Sequence, residues 1–74
     1  MHLEALVRMA NQIGDFFEAM PDRNEALEGI AQHLKRFWEP RMRRELLGEL
    51  DSRGDIGLHA VVAEAIGRHR ALLS

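Results

Sequence analysis

The spacing of the large apolar residues in the first stretch of the chain leaves it one kind of local structure. Together with Ala10 they fall at Leu6, Met9, Ala10, Ile13, Phe16, Phe17 and Met20, in steps of three and one. That pattern fills one stripe of an amphipathic helix and neither face of a strand. It predicts a first helix over about 3–20, with Glu4 and Arg8 at i and i+4 on the outer face in the favourable order. Pro21-Asp22 ends this helix, and Asp22 or Asn24 is placed to cap the next one.

The same period recurs three more times. Leu27, Ile30, Leu34 and Phe37, with Ala26 and Ala31 beside them, predict a second helix over about 23–38. Gly29 costs that helix about 1 kcal/mol relative to Ala unless a neighbouring helix needs the close approach. At Trp38-Glu39-Pro40 the chain turns a corner, because proline disfavours helical geometry at the residue before it and suits the first position of a new helix. A third helix over about 40–51 then directs Met42, Leu46, Leu47 and Leu50 inward and Arg41, Arg43, Arg44, Glu45 and Glu49 outward. The turn-forming stretch from Asp51 to Gly57 reads as a loop, and Asp55 within it as a helix cap. Leu58, Val61, Val62, Ala65, Ile66, Leu72 and Leu73 give a fourth stripe, over about 57–73. The expectation is an all-α fold, a small compact bundle of about four helices forming one domain over 1–74. Its core is expected from Leu6, Ile13, Phe16, Phe17, Leu27, Ile30, Leu34, Phe37, Leu46, Leu47, Leu50, Val62 and Ile66.

A core built from 74 residues gives modest stability, so a partner or a second copy of the chain is expected. There is no cysteine, which excludes disulfides, thiolate metal sites and cysteine-ligated iron–sulfur clusters. The opening Met1-His2-Leu3-Glu4-Ala5 lacks the basic and apolar regions of a signal peptide, and no apolar run approaches a membrane span. A cytoplasmic location without membrane association is the expectation. The formal charge is −2, yet Lys35 to Arg44 holds five basic residues against the single acid Glu39. One short segment is strongly basic within a mildly acidic chain.

Groups for catalysis are scarce. The chain has no Cys, Tyr or Thr, and its only serines are Ser52 and Ser74, so nucleophilic catalysis has almost nothing to use. Its carboxylates lie mostly on outward faces or at turns, where solvent keeps them ordinary acids. His33 and His69 have no ligating residue at i±3 or i±4, and the Asp55/His59 pair lies at the loop. A metal site assembled from His33 with His59 or His69 is the remaining arrangement, with border positions on amphipathic helices the preferred reading of these histidines. Gly54 and Gly57 are not followed by the Lys-Ser or Lys-Thr of a phosphate loop. Neither a cofactor nor enzymatic activity is expected.

Phe37-Trp38-Glu39-Pro40-Arg41-Met42-Arg43-Arg44 stands out, since aromatics, Met and Arg are the residue types enriched at protein interfaces. Phe37 and Met42 are read chiefly as core, and Trp38, Pro40, Arg41, Met42 and Arg43 together as a docking surface, with Asn11, Gln12 and His33 as its polar supplement. The arginines could pair partner carboxylates bidentately. Two alternatives stay open. A basic helix following another across a tight corner superficially resembles a nucleic-acid-binding helix-turn-helix, against which stand the net acidic balance and Glu45 and Glu49 on the same helix. The near-heptad stripe of the first helix could instead pair with a copy of itself, giving a self-associating regulatory module or a homodimer in isolation.

Two stretches, Arg8-Met9-Ala10-Asn11-Gln12-Ile13-Gly14-Asp15-Phe16-Phe17 and His33-Leu34-Lys35-Arg36-Phe37-Trp38-Glu39-Pro40-Arg41-Met42-Arg43, give the chain a family likeness. It resembles the small delta subunit of NAD-dependent, molybdenum-containing formate dehydrogenases of bacteria. The likeness continues weakly through Gly57-Leu58 and Val61-Val62 and is most specific in the Phe-Trp-acid-Pro-Arg-Met core. The resemblance implies a non-catalytic accessory subunit of a complex whose other subunits hold the molybdopterin, flavin and iron–sulfur centres. It also implies that the partners are those catalytic and electron-transfer subunits, and that the role is assembly, stability or full activity of the complex. Two positions depart from the family pattern: Glu39 stands where Asp is expected and Ala60 where a proline is frequent. Glu is the poorer helix cap, since its longer side chain folds back less readily to the backbone amides.

Overall fold

A computed structural model of the chain describes residues 2–74. Five helices follow one another: α1 (Leu3–Glu18), α2 (Arg23–Phe37), α3 (Pro40–Arg53), α4 (Ala60–Arg68) and the single turn α5 (Arg70–Leu73). The all-α reading holds, and the first three helices start and stop within two residues of where the apolar period puts them. Asp22 is the cap of α2, its Oδ1 accepting from the Glu25 N–H at 3.2 Å. Trp38 and Glu39 are both extended, with ψ 138° and 148°, and Pro40 opens α3. The Glu39 side chain makes no capping hydrogen bond. No helix among the described residues is long and apolar enough to cross a membrane.

Helix α2 is the centre of the bundle and packs against the other four. Leu27, Ile30 and Leu34 from α2 meet Leu6 and Ala10 of α1, Leu46 and Leu47 of α3, and Val61, Val62, Ala65 and Ile66 of α4. Each of these side chains is buried. Helices α1 and α4 come together at Gly14, where an added Cβ would lie 2.4 Å from Val62 Cγ2 and 3.2 Å from Val61 Cγ1. Gly14→Ala is therefore expected to lower the melting temperature. The overlap with two fully buried valines costs about 1–3 kcal/mol, against roughly 1 kcal/mol gained in helix propensity. A thermal melt checks the sign, and a rise would show that α4 can move away.

The fourth stretch corrects the expected helix over 57–73. Gly57 has φ +94°, outside the helical region, and its N–H is taken by Asp55 Oδ1 at 3.0 Å. Asp55 thus shapes the loop and does not cap a helix; α4 begins only after His59, which offers no side-chain cap. His69 then leaves helical geometry (φ −113°, ψ 29°), and the chain resumes as α5. This break turns Leu73 into the core, where it is buried against α2 and α3. Arg70 ties the turn to α3 through two hydrogen bonds to Asp51, of 2.9 and 2.5 Å. Those bonds hold the Asp51 carboxyl below its ordinary range and raise Arg70. In the same way Arg23 of α2 donates to Glu64 of α4 at 2.7 and 3.1 Å and lowers that carboxyl. Both pairs are exposed and contribute little to stability.

Two residues expected in the core are on the surface: Phe16 is 75 % exposed and Phe37 72 % exposed. Leu50, Ile13 and Phe17 pack on the core while remaining half-buried.

Candidate functional site

The apolar stripe of α1 is too wide for its neighbours to cover. At about 100° per residue it spans roughly 160° of the helix circumference, from Phe16 through Ile13, Phe17 and Leu6 to Gly14. Packing against α2 and α4 buries the half that holds Leu6, Ala10 and Gly14. Left over are Met9, Ile13, Phe16 and Phe17, which form one wall of an open groove of about 550 Å³. His33 and Phe37 of α2 form the opposite wall, and Trp38 and Met42 close it at the corner into α3.

Aromatic rings run across this groove in contact. The Phe16 and Phe17 centroids lie 5.2 Å apart in an edge-to-face arrangement, Phe17 and His33 6.2 Å apart, and His33 and Phe37 4.7 Å apart. Such pairs favour one another beyond their buried area. Gly29, His33 and Phe37 follow at i, i+4 and i+8 on α2, and the missing side chain at Gly29 is what seats the Phe17 ring. A Cβ there would stand 2.5 Å from Phe17 Cε1. Gly29 is thus kept for the close approach of α1, which offsets its cost in helix propensity.

The residues expected to form a docking surface divide into three groups. Pro40 and Arg41 are exposed on the first turn of α3, and Gln12 is exposed on α1. His33 and Met42 are half-buried and line the groove, as Gln12 does. Trp38 and Arg43 do not lie on the surface. Trp38 is only 6 % exposed and belongs to the core cluster, showing one edge to the groove. Trp38 follows buried Leu34 by four residues and buried Ala31 by seven and so stays on the core side of the corner, whereas Phe37, the last residue of α2, has the His33 ring and the open groove beside it.

Arg43 is 9 % exposed, the one buried charged side chain among the described residues. Its Nη1 donates to the carbonyls of Trp38 at 2.8 Å and Lys35 at 3.2 Å, and its Nε to that of Leu73 at 3.3 Å. These carbonyls at the end of α2 have no partner within their own helix, and a cation there also complements the helix dipole. Arg43 is a cap for two helix ends.

Asn11 is likewise engaged inside the chain. Its Nδ2 donates to the Gly57 carbonyl at 3.0 Å and its Oδ1 accepts from the His59 N–H at 2.8 Å. It thereby clamps the loop before α4 to α1. Beside it lies a more polar groove of about 530 Å³, lined by Arg8, Asp15, Arg53 and His59 among others. There His59 Nδ1 meets Asp15 Oδ1 at 2.9 Å. No three His, Asp or Glu side chains among the described residues are grouped to hold a metal ion.

Sequence reasoning missed Phe16 and Phe37 as exposed groups by assigning both to the core. The readable signal was the breadth of the α1 stripe, which exceeds the face that a single packing partner covers.

A family model, NADH-dependent formate dehydrogenase delta subunit FdsD, matches residues 5–66, which takes in all but the first two residues of α1, the whole of α2 and α3, and most of α4. No curated protein and no solved structure matches the chain.

Proposed function

We propose that this chain, which belongs to the FdsD family of NADH-dependent formate dehydrogenase delta subunits, is a non-catalytic accessory subunit that docks through its aromatic groove. Its partners on this reading are the catalytic and electron-transfer subunits of formate dehydrogenase, and its role is the assembly, stability or full activity of that complex. The observation that carries the reading is the pair of exposed phenylalanines, Phe16 and Phe37, framing an apolar groove in a small chain. Large apolar side chains held in water on both sides of one groove are a feature of interaction sites. Met9 and Met42 add adaptable contact surface. Pro40, Arg41, Gln12 and His33 are assigned to the contact zone with them, while Trp38 and Arg43 hold its shape from beneath.

Because both rings are exposed, Phe16→Ala with Phe37→Ala is expected to leave the helical content and the folded state intact. Affinity for the formate dehydrogenase complex should fall by about 100-fold or more, since truncated aromatic anchors at an interface typically cost over 2 kcal/mol each. Co-purification from cells carrying the double variant measures this, and undiminished recovery would refute the groove. Deleting the chain and measuring formate oxidation together with the molybdenum content of the complex separates the roles. Loss of both indicates assembly, and loss of oxidation alone indicates full activity.

A further inference from the structure

Apart from Arg8, a cation exposed on α1 beside the more polar groove and unpaired among the described residues, the lysines and arginines of this chain divide into two populations. Arg23, Arg43, Arg53, Arg68 and Arg70 are each committed to acceptors within the chain. The side chains of Lys35, Arg36, Arg41 and Arg44 have no hydrogen bond or ion pair among the described residues, and all four are exposed. These four lie in the ten-residue stretch that also supplies Phe37, Trp38 and Met42 to the groove. Arg36 is bonded directly to Phe37, and Arg41 to Met42. The apolar groove thus shares its segment with cations that have no counter-charge among the described residues, and two of them, Arg36 and Arg41, adjoin its lining residues in the chain.

Resting on the docking role proposed above, we infer that the groove's occupant is an amphipathic helix of a partner subunit. Its apolar face fills the space between Phe16, Phe17 and Phe37, and acidic residues on its flank meet Arg36 and Arg41. A groove between two helices with flexible methionines in its lining suits a helix that inserts side chains at i, i+3 or i+4, and i+7. The charge selects which helix. Complementary flanks steer the encounter and fix the register, and a basic flank opposed to this one is rejected.

Two other occupants fit less well. A second copy of this chain docking through a two-fold axis would present the same patch, placing this cationic stretch opposite itself in one interface. Single-stranded nucleic acid would use the cations, but a phosphate backbone calls for a broad positive surface, and this chain is net acidic with a formal charge of −2.

The test uses the full chain and formate dehydrogenase purified from cells lacking it, with affinity measured across a range of NaCl. The wild-type affinity is expected to fall with salt. Arg36→Glu with Arg41→Glu should bind about tenfold or more weakly at low salt and show a flattened salt dependence, with unchanged helical content. Wild-type binding by this charge-reversed chain, while Phe16→Ala/Phe37→Ala fails to bind, would overturn the acidic helix and leave the docking role standing. Undiminished binding by the phenylalanine variant would remove both. Salt-sensitive binding of a single-stranded oligonucleotide that the charge reversal abolishes would assign the patch to nucleic acid. A dimer in sedimentation that the phenylalanine variant dissolves would assign it to a second copy. Either result overturns the inference.

Discussion

A chain carrying Trp38→Ala is expected not to fold. Trp38 fills the space between α2, α3 and α5, in contact with the cluster that contains Leu34, Leu46, Leu47, Ile66 and Leu73. Truncating a buried tryptophan removes its transfer free energy and leaves a cavity, at a combined cost of about 3–5 kcal/mol. A domain of this size seldom has more than about 3–5 kcal/mol in total. The two quantities are comparable, so the far-UV helical signal at 25 °C should largely vanish. Trp38→Phe keeps most of the volume and should fold with a reduced melting temperature. A Trp38→Ala chain that melts with wild-type cooperativity would show that the corner does not depend on this side chain. Trp38 is also the only tryptophan, so its blue-shifted emission in the folded chain reports its burial directly.

Arg43→Ala is expected to destabilise the chain by about 3 kcal/mol. The substitution strips a charged donor from the Lys35, Trp38 and Leu73 carbonyls, two of them at buried sites. Hydrogen bonds to charged groups contribute about 1.5–3 kcal/mol each, and a buried acceptor left without a partner loses its hydration as well. Water entering the space vacated by the arginine stem recovers part of the loss, which keeps the sum below three full bonds. Arg43→Lys should recover less than half, because a lysine ammonium cannot reproduce the planar fork that reaches Leu73 on one side and the end of α2 on the other. A urea titration followed by Trp38 fluorescence measures both variants. An unchanged midpoint for Arg43→Ala would mean that the three carbonyls are satisfied by solvent.

The sequence was least legible at the corner between α2 and α3. Phe37 continues the apolar stripe of α2, three residues after Leu34 and seven after Ile30, yet no other helix covers it. Trp38, four residues after Leu34 and seven after Ala31, stays on the buried side, and it is its residue type and not its register that suggests an interface. Arg43 failed for a different reason. It lies three and four residues before Leu46 and Leu47, which is an inward position, but its charge argues for water. What reverses that argument is the set of open carbonyls at the ends of α2 and α5, and these are brought together only when α5 folds back. Phe16 belongs to a stripe that is correctly apolar yet wider than the faces packed against it, so composition alone cannot say which half stays uncovered.

The apolar period of α1 opened the way to the fold, and by itself it determined the helical class, the extent of the first three helices and the caps and breaks between them. These are local properties: a repeat of 3.6, an aspartate before a helix, a proline at a corner. Which side of the α1 stripe is left to form a groove, which of two adjacent aromatics is buried, and which arginine serves the backbone were decided only by the tertiary structure. Each depends on what the opposite helix covers, and coverage is a relation between segments distant in the chain.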